Sequence, residues 1–169
     1  LAEEGVDLAV RIGGPEPLPV TLGSRLLGHE CLRFCASPAY LQRHGLPGSA
    51  AELADHDGVL FGRADGSIGP WQVADAGQRI APLQARARLV VGSAEAQVAA
   101  VEAGFGIAQL ATWLLDDALA RGSLVSILPE LDCRGLPLRL LWSQGRQLLP
   151  RVDVALDRLA AGLRIDPPR

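Results

Sequence analysis

The sequence predicts an α/β fold in which strands alternate with helices and the strand ends border a ligand crevice. Three segments carry that prediction. Gly5–Gly13 (GVDLAVRIG) reads as a buried strand ending in an arginine and a double glycine. Ala36–Pro47 (ASPAYLQRHGLP) reads as a strand end running into a proline-started helix. Gly92–Leu110 (GSAEAQVAAVEAGFGIAQL) is a serine-capped helix closed by a glycine and followed by another strand. Such alternation implies a mostly parallel sheet with crossover connections, and small ligands sit outside the carboxyl ends of its strands.

Each element has a local reason. In Gly5–Ile12, Val6, Leu8, Val10 and Ile12 share one face and Ala9 on the other is small, so both faces can be covered. Gly13, Gly14, Pro15, Pro17 and Pro19 then break the strand into an irregular loop. An extended piece, Val20–Leu27, leads to a strand at Glu30–Ala36. Ser37 caps the next helix and Pro38 takes its first position, where a missing N–H forfeits no helical bond. Gly45 ends it. Ser49 and Glu52 form a capping-box pair for a second short helix.

Val59-Leu60-Phe61 is a strand opening into a glycine-rich loop, Gly62–Gly69. Trp71–Asp75 and Arg79–Leu83 form a hairpin around Ala76-Gly77, and Ala87–Val91 is the next strand. Ser93 caps a helix with Ala94, Val98 and Val101 at i, i+4 and i+7, and Gly104 terminates it. The strand Ile107–Leu110 leads to a helix capped by Thr112 and ended by Arg121-Gly122. Leu124–Leu128 and Leu136–Trp142 are strands. After Pro150, Val152, Ala155, Leu156, Leu159 and Leu163 form one helical stripe.

The 169 residues are 49% hydrophobic, enough for one substantial core or two small lobes, but only 4% aromatic, so Leu, Val and Ala must build it. The net charge is −3, and no Lys/Arg cluster offers the basic face that neutralises phosphates, which argues against nucleic-acid binding by this chain alone. The opening LAEEG lacks the basic and apolar regions of a secretory signal. The most apolar stretch, Leu89–Leu115, carries Glu95 and Glu102 and lacks the roughly 18 uncharged residues of a membrane span. Three sparse cysteines suit reduced thiols in a cytoplasm. With no methionine and a strand in the first dozen residues, the chain is expected to begin inside a fold.

GVDLAVRIG, CASPAYLQRHGLP, ELADHDGVLF, a Trp-containing hairpin, VVGSAEAQVAAVEAGFGIAQL and LVSILPEL together resemble, in order and spacing, the effector-binding domain of LysR-type transcriptional regulators. The likeness covers nearly the whole chain. It implies two α/β lobes like those of type-2 periplasmic binding proteins, with a small effector between them. By that resemblance residues 1–28 and 139–169 form a partial first lobe and residues 29–138 the second. The family's N-terminal winged helix-turn-helix and linker helix have no counterpart here, nor has the opening strand–helix–strand–helix part of the first lobe. Gly92-Ser93 stands where an Asn-Asp pair is common. The family implies a homodimer or tetramer in the intact protein, touching DNA only through the helix-turn-helix.

Candidate site residues lie at three strand ends. Arg11, followed by Gly13 and Gly14 whose backbone N–H groups are approachable, suits a two-pronged bond to a ligand carboxylate; an ion pair with Asp7 or Glu16 is the alternative. Ile12 and Gly13 complete that group. Ser93 and Ala94 offer a hydroxyl and a helix N-terminus, which favours an anion but also describes a plain cap. Phe61, Gly62 and Arg63 supply an apolar wall and a second cation, or else a core residue and a solvated loop.

His29, Cys31 and Cys35 share one strand face without the second close pair a zinc site needs, Cys133 stands alone in a loop, and no metal or cofactor is expected. His44 and His56 follow short helices and read as surface or helix C-terminal residues, and Asp116 and Asp117 as a solvated mid-helix face. Gly104-Phe105-Gly106 follows a helix, the wrong side for cradling phosphate, and no catalytic motif is present. The expectation is a non-catalytic sensor for a small, anionic effector. A solute-binding protein of a transport system is the runner-up, with an enzyme and a purely oligomerising remnant behind it.

Overall fold

A computed structural model describes residues 6–14, 16–74, 79–144 and 150–163. The chain divides into two compact units: residues up to Glu30 with those from Gly135 onward, and Cys31–Arg134. It passes from one to the other twice, inside strands β2 (Leu22–Ala36) and β10 (Cys133–Ser143).

In the first unit, β1 (Leu8–Ile12) pairs antiparallel with β10, Val10 facing Leu140 and Ile12 facing Leu138. Helix α5 (Pro150–Gly162) lays Val152 and Leu156 against Leu140 and Trp142, with Leu8, Leu27 and Leu159 packed around them. The stripe read from the sequence is therefore the buried face. Strand β1 departs from expectation. Among the described residues it is an edge strand, and Val10 and Ile12 are 48% and 38% exposed rather than buried. Alternation says which side chains share a face, but only a covering layer can bury that face.

The second unit carries its β-structure between two cores. Alternate residues of β2 feed them, Phe34 and Ala36 into one and Cys35 into the other. Strand β3 (Asp57–Gly62) does the same with Leu60 and Val59. Here both faces are covered. β2 pairs antiparallel with β8 (Ala108–Ala111) and with β9 (Val125–Ile127). β3 pairs in parallel with β7 (Arg86–Val91) and antiparallel with the two-residue β4 (Ile68–Gly69). The expected mostly parallel sheet is thus corrected: the β3–β7 ladder is parallel, while the ladders of β1 and β2 just named are antiparallel. Strand–helix alternation does not determine which strands become neighbours, and β1 finds its neighbour near the other end of the chain.

Helices α1 (Pro38–His44) and α2 (Ala50–Asp55) start at Ser37 and Ser49, whose hydroxyls accept the N–H groups of Tyr40 and Glu52. Helix α3 (Ala94–Glu102) starts the same way at Ser93. The two extended pieces before Ser37 are one 15-residue strand. The loop after Phe61 folds back as β4. Strands β5 (Trp71–Ala74) and β6 (Ile80–Leu83) form the expected hairpin, while Ala76-Gly77 lie outside the described residues. Thr112 caps nothing: it opens a 3-10 turn, Thr112–Leu114, and α4 (Asp116–Ala120) follows, so Asp116 and Asp117 are exposed in a first turn. Cys133 is buried at the start of β10 rather than in a loop.

Gly106 is required by close backbone approach. A Cβ there would collide with the Asp57 carbonyl oxygen, which accepts a 2.9 Å bond from Ile107 N–H. Gly106→Ala is expected to destabilise the protein by about 1–3 kcal/mol, the usual cost of overpacking. Urea denaturation, read as a lowered midpoint at unchanged slope, checks it.

Candidate functional site

Strands β3 and β7 run in parallel with Phe61 opposite Val91, so their carboxyl ends open side by side. Phe61-Gly62-Arg63 leaves the first and Gly92-Ser93-Ala94 the second. A Cβ on Gly92 would lie 3.9 Å from the Gly62 carbonyl oxygen. The sheet therefore brings five of the expected site residues to one edge of the second unit.

Helix α3 is held there by a buried glutamine. The β3–β7 register slips between Gly58 and Val59. Gln97, 6% exposed, donates its side-chain N–H to the Val59 carbonyl at 3.1 Å. This bond satisfies a buried acceptor and seats the first turn of α3 over β3. Gln97 is not among the residues expected from the sequence, where its signal is a polar residue beside the apolar positions of an amphipathic helix.

Ser93 is exposed, with its hydroxyl accepting the Ala96 N–H at 3.1 Å and its carbonyl accepting the Gln97 N–H at 3.1 Å. It is a helix cap, and the earliest N–H groups of such a helix have no intrahelical partner. Phe61 is 38% exposed, so its ring is available rather than lost in the core. Arg63 donates to the Ser67 hydroxyl at 3.2 Å, within its own turn. Asp65 stiffens that turn by accepting the Ser67 N–H at 2.9 Å, and the hydrogen bonds from Ser67 hold its carboxyl below the ordinary carboxylate range.

Arg11, Ile12 and Gly13 belong to the other unit. Arg11 is exposed on β1 across from Arg139. Glu16, one suggested partner of Arg11, pairs instead with Arg139 at 2.6 Å. The Arg11 guanidinium lies along Gly14, where a Cβ would come within 3.0 Å of Nε. Gly13 (φ 66°) gives its N–H to the Pro137 carbonyl at 2.9 Å, so that group is taken rather than approachable.

Other chemistry is structural. Gln109 grips the Gln72 backbone from both sides, at 2.7 and 2.5 Å, and the Cys133 thiol donates to the same Gln72 carbonyl at 3.3 Å. His44 ends α1, exposed, and His56 is the C-cap of α2, and both also meet Tyr40. His44 stacks on Tyr40 with ring centres 4.4 Å apart, and His56 Nδ1 lies 3.1 Å from the Tyr40 hydroxyl. Among the described residues no His, Cys, Asp and Glu side chains gather as a metal site. No described helix is long and apolar enough to cross a membrane.

The chain matches the LysR substrate binding domain family over residues 1–164. It is 34% identical over 164 residues to the HTH-type transcriptional regulator CrgA of Neisseria meningitidis serogroup C, covering 96% of this chain and 53% of that protein. It is likewise 34% identical over 151 residues to an HTH-type transcriptional regulator of Haemophilus influenzae, covering 88% and 50%. The solved regulatory domain of CrgA, a LysR-type transcriptional regulator, superposes with a TM-score of 0.79 at 31% identity, covering 96% of this chain and 78% of that one. The regulatory domain of AphB from Vibrio vulnificus shares the fold, with a TM-score of 0.73 at 23% identity, covering 94% and 76%. The chain spans about half the length of the curated relatives it matches.

The cysteines give this part of the structure a chemical signature. Burial pushes the Cys35 thiol up to about 12 and Cys133 up to about 11, and it also raises Cys31. The fold holds these thiols neutral, so their contribution to stability is complete below the ordinary thiol range and falls as pH climbs through it towards 11–12. Thiolate is the reactive form. All three cysteines should resist a disulfide-exchange reagent at pH near 8 in the native protein and react promptly in denaturant, with absorbance of the released thiol as the readout.

Proposed function

Because this chain belongs to the LysR substrate binding domain family, found in transcriptional regulators, we propose that it senses a small anionic metabolite through the strand-end residues described above. Its α/β fold is the periplasmic-binding-protein-like one of that family's regulatory domains. The observation that carries the proposal is the β3–β7 edge, where Phe61, Gly62, Arg63, Ser93 and Ala94 meet. An apolar ring, a cation and a helix N-terminus together suit a carboxylate attached to a carbon skeleton. Arg11, exposed and without an ion-pair partner among the described residues, is the proposed second cation, with Ile12 and Gly13 beside it. The two units correspond to the two lobes of the effector domain.

In this reading the chain is no enzyme. It supplies recognition, and differential binding to two conformations turns occupancy into a signal. The whole protein acts in the cytoplasm as a homodimer or tetramer and meets DNA through a helix-turn-helix outside these residues. The transport alternative draws no support from the matched relatives, which are named as transcriptional regulators.

A thermal-shift screen against organic acids, amino acids and aromatic carboxylates tests the reading. A ligand at a hundred times its dissociation constant stabilises the native state by about 2.7 kcal/mol. Arg11→Ala should abolish the shift. Ser93→Asp keeps a good helix cap but sets a negative charge where the anion would sit, so it should leave the unliganded melting temperature within a degree or two and still abolish the response. Hits untouched by both changes would put the ligand elsewhere. Operator binding by this chain alone, read by gel shift, should be absent, and its presence would overturn the assigned division of labour.

A further inference from the structure

We propose that a second site, at the opposite end of the same two strands, binds a small zwitterion of the amino-acid class. The proposal does not rest on the effector reading above. A groove of about 540 Å³ lies where α1 and α2 end and β3 and β7 begin, wholly within the second unit. Along β3 it is about 13 Å from Phe61, at the usual rise per strand residue. Its volume falls within the range typical of small-molecule sites, and it exceeds what a single amino acid fills.

The floor is preformed. Tyr40 is 1% exposed, and its hydroxyl accepts the Asp57 N–H at 3.1 Å, which leaves its own proton for His56 Nδ1 at 3.1 Å. The His44 ring covers Tyr40 at an interplanar angle of 19°. Leu46 is 65% exposed and lines the groove as an apolar wall. Both signs of charge face the same space. Asp57 is compensated by Arg88 at 3.1 Å and Arg86 at 3.6 Å. Arg86 uses only Nε in that pair, so its two terminal nitrogens remain open for a carboxylate. Asp55 lines the groove with no ion pair or hydrogen bond among the described residues and is the open acceptor for an ammonium. A plain amine or a plain acid would satisfy one side and leave the other unmet. A molecule with both charges and a short apolar body satisfies the groove.

Leucine, N-acetyl-leucine and leucinamide distinguish the cases in a nitrogen-15 NMR titration of the whole chain. Millimolar leucine should move the amide signals of residues 44–57 and of Arg86, while each capped form should bind about tenfold more weakly. Asp55→Asn should weaken leucine but leave N-acetyl-leucine unaffected, and Arg86→Gln should weaken leucine but leave leucinamide unaffected. Both side chains are at the surface, so unchanged signals from the β2 core certify the fold of each variant. Equal binding of all three probes, binding untouched by either variant, or shifts confined to residues 61–63 and 92–94 would overturn the proposal.

Discussion

The second unit depends on how the backbone of β3 is satisfied. Gly58, Val59 and Leu60 are buried, and each buried N–H and C=O must find a partner or impose a cost of a few kcal/mol. The ladder to β7 slips by a residue in the middle of this stretch. Three bonds satisfy the other edge of the same stretch, where Gly58 bridges Ile107 in parallel. Val59 N–H reaches the Ile107 carbonyl at 2.8 Å, Ile107 N–H reaches the Asp57 carbonyl at 2.9 Å, and Gln97 supplies its amide to the Val59 carbonyl. Gly106 permits the approach, and Gln97 orients α3. The positions of Phe61 and Ser93 follow from bonds that neither residue makes.

Charge in this protein is arranged locally rather than in fields. The net charge is only −3, and many arginines are committed within the fold. Arg33 puts two nitrogens on one oxygen of Asp132, at 2.8 and 2.7 Å, which leaves the other carboxylate oxygen buried and without a partner. Arg121 and Ser123 hold Glu102 at 3.1 and 2.6 Å, and the Ser123 hydroxyl is the larger cause of that carboxyl's lowered pKa. An exposed pair such as Arg121–Glu102 contributes little to stability. Among the described residues most guanidinium groups have such partners, and Arg11 and the two terminal nitrogens of Arg86 are among those left open.

The proposed binding edge, built on parallel strand ends, sets no nucleophile beside a base among the described residues. A helix N-terminus, a ring and a guanidinium attract and orient an anion, but none is a nucleophile beside a base. The cysteines, which could have supplied one, are buried with their thiols held neutral.

Local signals in the sequence determined the elements. The serine caps at Ser37, Ser49 and Ser93, the terminal glycines Gly45 and Gly104, and the stripe of α5 are short-range properties, and each is legible in the sequence. Thr112 shows the limit, because a capping residue acts only if its hydroxyl can reach a free N–H, and here a 3-10 turn intervened. The residues of the candidate edge were legible as strand ends, since a parallel pair must release its loops on one side. Tertiary structure alone decided the rest: that β1 is an edge strand, that Cys133 is buried, that Glu16 takes Arg139, and that His44 and His56 converge on Tyr40. Each of these depends on a neighbour distant in sequence, and the pattern along a chain reports which face a side chain occupies but not what will be laid against it.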